Sequence, residues 1–366
     1  MEISEWPQIE EIVGLVESKF LIIDKYFSER EIIFIIDEKT QNIKGKFQKL
    51  YEELRPQGYY PTLRKEDQEL ILRVIKGEIR ARTERRITFY ALMFVTIAII
   101  FLDGYLRTTS PIWKTISKLA NINIHPLLYS ILFVISLFGI VGIHEIGHLI
   151  VLKRRKIKAS LPYFIPGIPL IMPTFGAIIF QKEPAMNRDA LFDLGVSGPV
   201  MGLFATIVVT IFALNTMIPI TPAMEPLLKG AQYIPPPILF IIIVSLLKPE
   251  LFAGRGVYLD PIGWAAIVGM FVTFLNSLPA WELDGGHMAR AVLGPRLHRL
   301  ATFITVIIMT IAGFLPMALF ILIFWMSTGG ASTAPLDDYS PISKSRKIIF
   351  VIVLILTFLC MPVPAF

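Results

Sequence analysis

The chain has 366 residues, of which 54% are hydrophobic, and its mean hydropathy is +0.63. These values exceed those of soluble globular proteins, so the sequence predicts an integral membrane protein with a small soluble part. The formal net charge of +6 would suit nucleic acid or anionic lipid. Because the basic residues cluster at the ends of apolar segments, we expect a lipid bilayer and no nucleic acid as partner. The single cysteine, Cys360, excludes a disulfide framework and a cysteine-based zinc site.

Residues 1–80 are mostly polar and predict a small α+β domain. A helix is expected over Gln41–Leu54, and strands are expected over Glu31–Asp37, Tyr59–Leu63 and Glu69–Ile75. No phosphate-binding loop or dinucleotide motif occurs, so a binding or regulatory role and a cap without ligand are equally open. The acidic start of the sequence does not resemble a signal peptide, and we expect the first span to direct membrane insertion.

Residues 87–366 predict a polytopic domain with about six transmembrane helices and a core over residues 126–295. Arg80, Arg82, Arg85 and Arg86 precede the first span, Ile87–Leu106. A second basic cluster, 153–156, follows the next apolar run, Pro126–Leu152. The positive-inside rule puts both clusters on the cytoplasmic side of a cell membrane, and the N-terminal domain with them.

The segment Leu161–Gln181 contains four prolines and two glycines, so it should be re-entrant or β-rich rather than a spanning helix. Thr174–Phe180 would offer an unpaired strand edge that binds extended peptide, although a loop that only covers the core is an equal alternative.

Further along the chain, Pro235–Leu247 is too short to cross the bilayer. The remaining spans are expected over Ala190–Met217, from Pro261 to a break near Pro279, over Leu300–Trp325 with a kink at Pro316, and over Ile348–Cys360. Lys344, Arg346 and Lys347 favour a cytoplasmic loop, whereas counting the crossings would place them outside.

The run Pro126–Leu152 contains the motif His144-Glu145-x-x-His148. Two histidines four residues apart project from one helix face and can hold one Zn²⁺, while Glu145 is placed to act on water. By chance this short motif also occurs as a solvated patch on soluble helices. A solvated face is not available within an apolar segment, where ionisable groups are costly, so the motif indicates a function.

A second polar motif interrupts the span that begins at Pro261. Pro279 disrupts the helix and Gly285-Gly286 loosens the backbone, so that Asp284 can supply a third ligand. Two histidines and an aspartate with an open fourth position are typical of catalytic zinc. Glu282 lies nearby, but a water-facing or protonated side chain is favoured over a direct role, and for His287 a helix-packing or hydrogen-bonding role is favoured. Gly198-x-x-x-Gly202 predicts close helix packing without a chemical role.

Three motifs follow one another along the chain in the order that a known protein family has them. They are His144-Glu145-x-x-His148, Gly198-Pro199 and Asn276-x-x-Pro279-x-x-x-Leu283-Asp284-Gly285-Gly286. From about residue 87 onward the chain therefore resembles the site-2 protease family of intramembrane zinc metalloproteases. The small N-terminal domain, Thr174-Phe175-Gly176 and the closing Met361-Pro-Val-Pro are similar to the branch of cyanobacteria, chloroplasts and archaea.

The resemblance implies that His144, His148 and Asp284 bind Zn²⁺, that Glu145 is the catalytic base, and that Asn276 holds the substrate backbone or the developing oxyanion. It also implies an enzyme, a metalloendopeptidase that cleaves transmembrane protein substrates in regulated intramembrane proteolysis. The oligomeric state is left open.

Two alternative functions fit a membrane protein with these motifs. A catalytically silent member of the family could act as a membrane scaffold, but the intact Glu145 and Asp284 argue against it. A metal transporter would predict internal repeats, and the two motif-bearing spans are dissimilar. Replacement of Glu145 separates these classes, because metal transport would survive it and hydrolysis would not.

Overall fold

The computed structural model describes residues 9–77, 86–122, 125–228, 235–252, 256–327, 329 and 333–362. The chain is mostly helical with a small N-terminal β domain, which confirms the predicted class. Arg80, Arg82 and Arg85, on which the predicted orientation partly depends, lie outside the described residues.

A four-stranded antiparallel sheet, in the order β1-β2-β4-β3, forms the N-terminal part. Its elements are α1 (Ile9–Glu17), β1 (Ile22–Phe27), β2 (Glu31–Ile36), α2 (Ile43–Leu54), β3 (Tyr59–Glu66) and β4 (Glu69–Lys76). Alternate residues of β2 and β4 are buried and pack with α1 and α2 in one core. The predicted α2, β2, β3 and β4 are confirmed, whereas α1 and the largely exposed edge strand β1 were not predicted.

Nine helices and two small two-stranded sheets follow in the described part of the chain. The helices are α3 (Arg86–Thr109), α4 (Pro111–Leu119), α5 (Pro126–Arg154), α6 (Arg188–Ala213), α7 (Ile238–Leu247), α8 (Pro261–Asn276), α9 (Asp284–Ile311), α10 (Leu315–Ser327) and α11 (Lys344–Leu359). The strands are β5 (Tyr163–Ile168), β6 (Met172–Ile178), β7 (Ile218–Pro219) and β8 (Val257–Tyr258). Of the described helices, α3, α5, α6 and α9 are long and apolar enough to cross a membrane.

The predicted single span Leu300–Trp325 is wrong. Gly313 adopts a left-handed conformation with φ of 85° and ends α9, as glycines often do after a helix. Pro316 is the second residue of α10, where its missing N–H is tolerated, rather than a kink within one helix. The apolar run therefore forms two helices, and their buried residues Met309 and Ile321 belong to one core cluster. Within α9, a kink occurs at Gly294, with φ of 79° and ψ of 178°.

The segment before α11 joins the two parts of the molecule. We call residues 334–343 the strap. Its backbone bridges β3 and the segment before α6, because Leu63 N–H donates to Leu336 O (2.9 Å) and Leu336 N–H donates to Ala185 O (2.9 Å). The Leu336 side chain is buried in the core of the N-terminal sheet. The strap therefore fixes the sheet against the helices.

Candidate metal centre

His144 and His148 project from the same side of α5, and both are buried. Their Nε2 atoms are only 3.2 Å apart, and the ring centroids are 4.9 Å apart. Two imidazole nitrogens this close in an apolar interior share either a proton or a cation between the rings.

Asp284, the first residue of α9, completes the cluster. Its Oδ2 lies 3.2 Å from His144 Nε2 and its Oδ1 lies 3.4 Å from His148 Nε2. The three residues form a possible metal-binding group, the one such group of His, Cys, Asp and Glu among the residues that the structure describes. Helices distant in sequence thus bring together the three residues predicted as ligands.

The donor atoms fit a tetrahedral zinc ion. Ligand bonds of about 2.1 Å at tetrahedral angles separate neighbouring donor atoms by about 3.4 Å. The two Nε2 atoms are 3.2 Å apart, near this value, and each faces its own oxygen of the Asp284 carboxylate, at 3.2 Å for His144 and at 3.4 Å for His148. Two nitrogen donors and one carboxylate are also the donor chemistry of catalytic zinc sites, in which the fourth position stays open.

A carbonyl group of α6 orients one of the imidazoles. His148 Nδ1 lies 3.0 Å from Leu194 O. Because a carbonyl oxygen can only accept, Nδ1 carries the proton and the lone pair of Nε2 remains available to a metal. The Ser197 hydroxyl donates to the same carbonyl (2.9 Å) and lies 3.4 Å from His148 Nδ1.

Two glycines of α6 leave the space that the imidazoles occupy. A Cβ atom on Gly198 would lie 2.1 Å from His148 Nε2 and 2.6 Å from His144 Nε2. A Cβ atom on Gly202 would lie 2.9 Å from His144 Nδ1. The predicted close approach of helices is present, but it also forms the wall of the metal site, which sequence reasoning missed. Only the packing of α6 on α5 reveals it.

The break between α8 and α9 delivers Asp284. A Cβ atom on Gly285 would lie 2.1 Å from Ser277 O, and one on Gly286 would lie 2.1 Å from Trp281 O. Trp281 has a φ of 45°, and its N–H donates to Thr302 Oγ1 (3.0 Å). The glycine pair therefore allows a tight turn that is fastened to α9, rather than the loosened backbone that was expected.

Glu145 and Asn276 accompany the cluster. The Glu145 side chain is buried, and it lies close enough to His148 and Asp284 to interact with them electrostatically. Asn276 is the half-buried last residue of α8, at the start of the turn that leads to Asp284. Within the described part of the chain, no hydrogen bond of the Asn276 amide is formed, so its donors and acceptor are available.

Glu282 and His287 have partners other than the donor cluster. The carboxylate of Glu282 accepts from Thr333 N–H (2.6 Å) and from the Thr333 hydroxyl (2.8 Å). His287 Nδ1 lies 3.8 Å from Glu282 Oε2. Both side chains therefore lie beside the donor cluster and have contacts outside it.

The fold and site define a helical protein with membrane-spanning segments and a buried His-His-Asp cluster. The model of peptidase family M50 matches residues 132–320, just over half of the chain, and this range contains His144, His148 and Asp284. The chain belongs to this family, which confirms the resemblance to the site-2 proteases.

Similar proteins include three from Arabidopsis thaliana. The chain is 26% identical over 230 residues to "Probable zinc metalloprotease EGY2, chloroplastic", covering 62% of this chain and 40% of that protein. It is 29% identical over 242 residues to "Probable zinc metalloprotease EGY1, chloroplastic", covering 64% and 42%. It is 26% identical over 239 residues to "Probable zinc metallopeptidase EGY3, chloroplastic", covering 58% and 40%. The chain thus spans about two fifths of the length of these relatives. No solved structure matches it.

Proposed function

We propose that the chain is an intramembrane zinc metalloprotease that hydrolyses peptide bonds in or near transmembrane segments of membrane proteins. The observation that carries the proposal is the convergence of His144, His148 and Asp284 on one point, with Glu145 buried beside them. Membership of a peptidase family and similarity to proteins named zinc metalloproteases support the same reaction.

A zinc ion held by the two histidines and the aspartate would act as a Lewis acid that polarises the peptide carbonyl and acidifies water. Glu145 would accept a proton from the attacking water and return it to the leaving amine. Asn276, with its amide available at the end of α8, would hold the substrate backbone or donate to the developing oxyanion. Leu194 would keep His148 in the tautomer that the reaction requires.

A substrate helix must unwind before a peptide bond can be attacked, and the β5–β6 hairpin is our candidate for binding the unwound segment. In the described chain, β6 pairs only with β5 in a two-stranded sheet, which leaves its other edge for an additional strand. An extended substrate would hydrogen-bond along this edge. The competing possibility, a hairpin that only covers the core, predicts no effect of the edge on substrate selectivity.

For orientation we propose a multi-pass protein of a cell membrane with a cytoplasmic N-terminal domain, residues 1–80, on the protease domain, residues 87–366. Support comes from Arg55, directly after α2, which donates to Lys156 O and pairs with Glu183 (2.5 Å). The domain therefore docks at the basic end of α5, the end that the positive-inside rule places in the cytoplasm.

The experiment that tests the function is cleavage of a transmembrane peptide by purified protein in detergent, comparing wild type with Glu145→Gln. Zinc content is measured in both, and Glu282→Gln serves as a matched control because its carboxylate bonds to Thr333. We expect cleavage by wild type and the control but not by Glu145→Gln, with zinc retained in all three. Undiminished cleavage by Glu145→Gln would contradict the mechanism. Metal transport into vesicles that persists in that variant would favour a transporter.

A further inference from the structure

One carboxylate of the strap joins three separate parts of the molecule. Asp338 accepts from Arg64 of β3 (3.3 Å), from Arg188 of α6 (3.1 Å) and from Arg290 of α9 (2.6 and 3.0 Å). Its backbone N–H also donates to Leu63 O (3.1 Å), so the residue is held on both sides. The site forms only where the N-terminal sheet, the strap and the helices meet.

The bond with Arg290 is the strongest of the three. It is bidentate, which makes it both directional and strong, and the Arg290 side chain is only 4% exposed. A buried guanidinium that loses its carboxylate is costly, because the charge is then poorly neutralised. Asp338 therefore fixes where Arg290 can lie.

Arg290 lies six residues after Asp284 in the same part of α9. The kink at Gly294 separates this first part, residues 284–293, from the rest of the helix. A short helical segment moves nearly as a rigid body, so a shift of Arg290 also shifts Asp284. Metal–ligand distances lie within about 0.2 Å of their typical values in well-formed sites, so small shifts matter.

We propose that Asp338 and Arg290 are positioning residues for the metal centre, which hold the first part of α9 so that Asp284 reaches His144 and His148 only while the N-terminal domain is docked. The inference rests on the proposed function in one respect, the assignment of Asp284 as a ligand. It also assigns a role to residues 1–80. When this domain docks, Leu63 and Arg64 complete the hydrogen bonds to Asp338, and these bonds position Asp284. Any partner that pulls this domain away would loosen the site.

The test uses the full-length, zinc-loaded protein with Arg290→Met, Arg290→Lys and Asp338→Asn. The matched control is Arg346→Met, which removes an equally bidentate pair, that of α11 with Asp193 of α6 (2.7 and 2.8 Å). None of the described ion pairs of Arg346 reaches α9. Three quantities are measured: the rate at which a chelator removes zinc, the visible spectrum of the cobalt-substituted protein, and the melting temperature.

We expect Arg290→Met and Asp338→Asn to lose zinc about 10- to 100-fold faster, as is typical when the support of a metal ligand is removed. Arg290→Lys keeps the positive charge but cannot bind the carboxylate bidentately. It should therefore lose zinc more slowly than Arg290→Met does and show an altered cobalt spectrum. Arg346→Met should melt at a lower temperature than wild type but release zinc at the wild-type rate.

The proposal is overturned if folded Arg290→Met holds zinc as wild type does, or if Arg346→Met releases it equally fast. Should Arg290→Met fail to fold, Arg290→Lys and Asp338→Asn decide by the same criteria. Zinc release does not depend on cleavage, so a protein that binds zinc but cuts nothing would refute the proposed function and leave this test intact. Full zinc retention in Asp284→Ala would instead refute the ligand assignment, and the positioning roles with it.

Discussion

Gly198 faces His148 so closely that a methyl group on it would clash with the imidazole, since its Cβ atom would lie 2.1 Å from Nε2. We therefore expect Gly198→Ala to lower zinc affinity by about 100-fold and to abolish cleavage, since the ring must turn away. The control is Gly139→Ala on α5, where a Cβ atom meets nothing within 4 Å. It should be neutral or stabilising, as alanine is in helices. Equal zinc affinities of the two variants would show that α6 does not form the wall of the site.

Asp284 and Glu282 are neighbouring carboxylates with different surroundings. Replacement of Asp284 by alanine removes a donor 3.2 Å from His144 Nε2, and we expect zinc affinity to fall by more than about 100-fold. Glu282→Ala removes the bonds to Thr333 and the contact with His287, neither of which belongs to the donor cluster, and should keep zinc. Titration with zinc in a competing chelator measures both affinities. Retention of zinc by Asp284→Ala together with its loss in Glu282→Ala would reverse the assignment.

The hairpin is anchored by Asp103 of α3, which is completely buried. Its carboxylate pairs with Arg107 (2.7 Å) and accepts the N–H of Leu170 at the hairpin turn, where Leu170 has a φ of 67°. Arg107 also lies over the Trp264 ring, 4.7 Å from its centroid. Asp103→Ala leaves this arginine without its carboxylate and should destabilise the protein by about 3 kcal/mol.

Denaturation in mixed detergent micelles measures that loss. If the hairpin binds substrate, KM for a transmembrane peptide should also rise in Asp103→Ala, with a smaller rise in Asp103→Asn, which keeps an acceptor for the Leu170 N–H. An unchanged KM in a folded Asp103→Ala variant would favour the hairpin as a simple cover.

A titratable group of the strap predicts a pH dependence. Burial raises the pKa of Asp337, although bonds from Ser340 and the charge of Lys44 oppose this. When folding raises the pKa of a carboxyl group, the folded state binds that proton more tightly than the unfolded state does. The free energy of unfolding therefore falls as pH rises through the raised pKa. Asp337→Asn should therefore melt higher than wild type at pH 7, and the difference should shrink toward pH 4. A difference that grows on acidification would contradict this sign.

Much of the metal site could be predicted because its determinants are local in sequence. The four-residue spacing of His144 and His148 and the break before Asp284 are visible without any knowledge of packing. The glycine wall at Gly198 depends on which face of α6 meets α5, and no local pattern contains that information. The contacts of Asp338 are likewise invisible in the sequence, since its three arginines come from distant positions.

The error over Leu300–Trp325 also has a physical cause. Hydropathy stays high through Gly313, so an average over the run does not detect the turn that the left-handed glycine makes.

The orientation of the chain gives a further prediction, because Asp193 accepts from Arg155, which follows α5, and from Arg346 of α11. These two basic ends must lie on one side of the membrane, with the N-terminal domain. In a Cys360→Ala background, single cysteines replace the exposed residues Arg30, Lys344 and Lys118. We expect a membrane-impermeant maleimide to label positions 30 and 344 only in inside-out vesicles. Position 118, at the other end of α3, should be labelled only in right-side-out vesicles. Labelling of 30 and 344 from opposite sides would contradict the shared contact at Asp193, whereas inversion of all three would keep the fold and reverse the orientation.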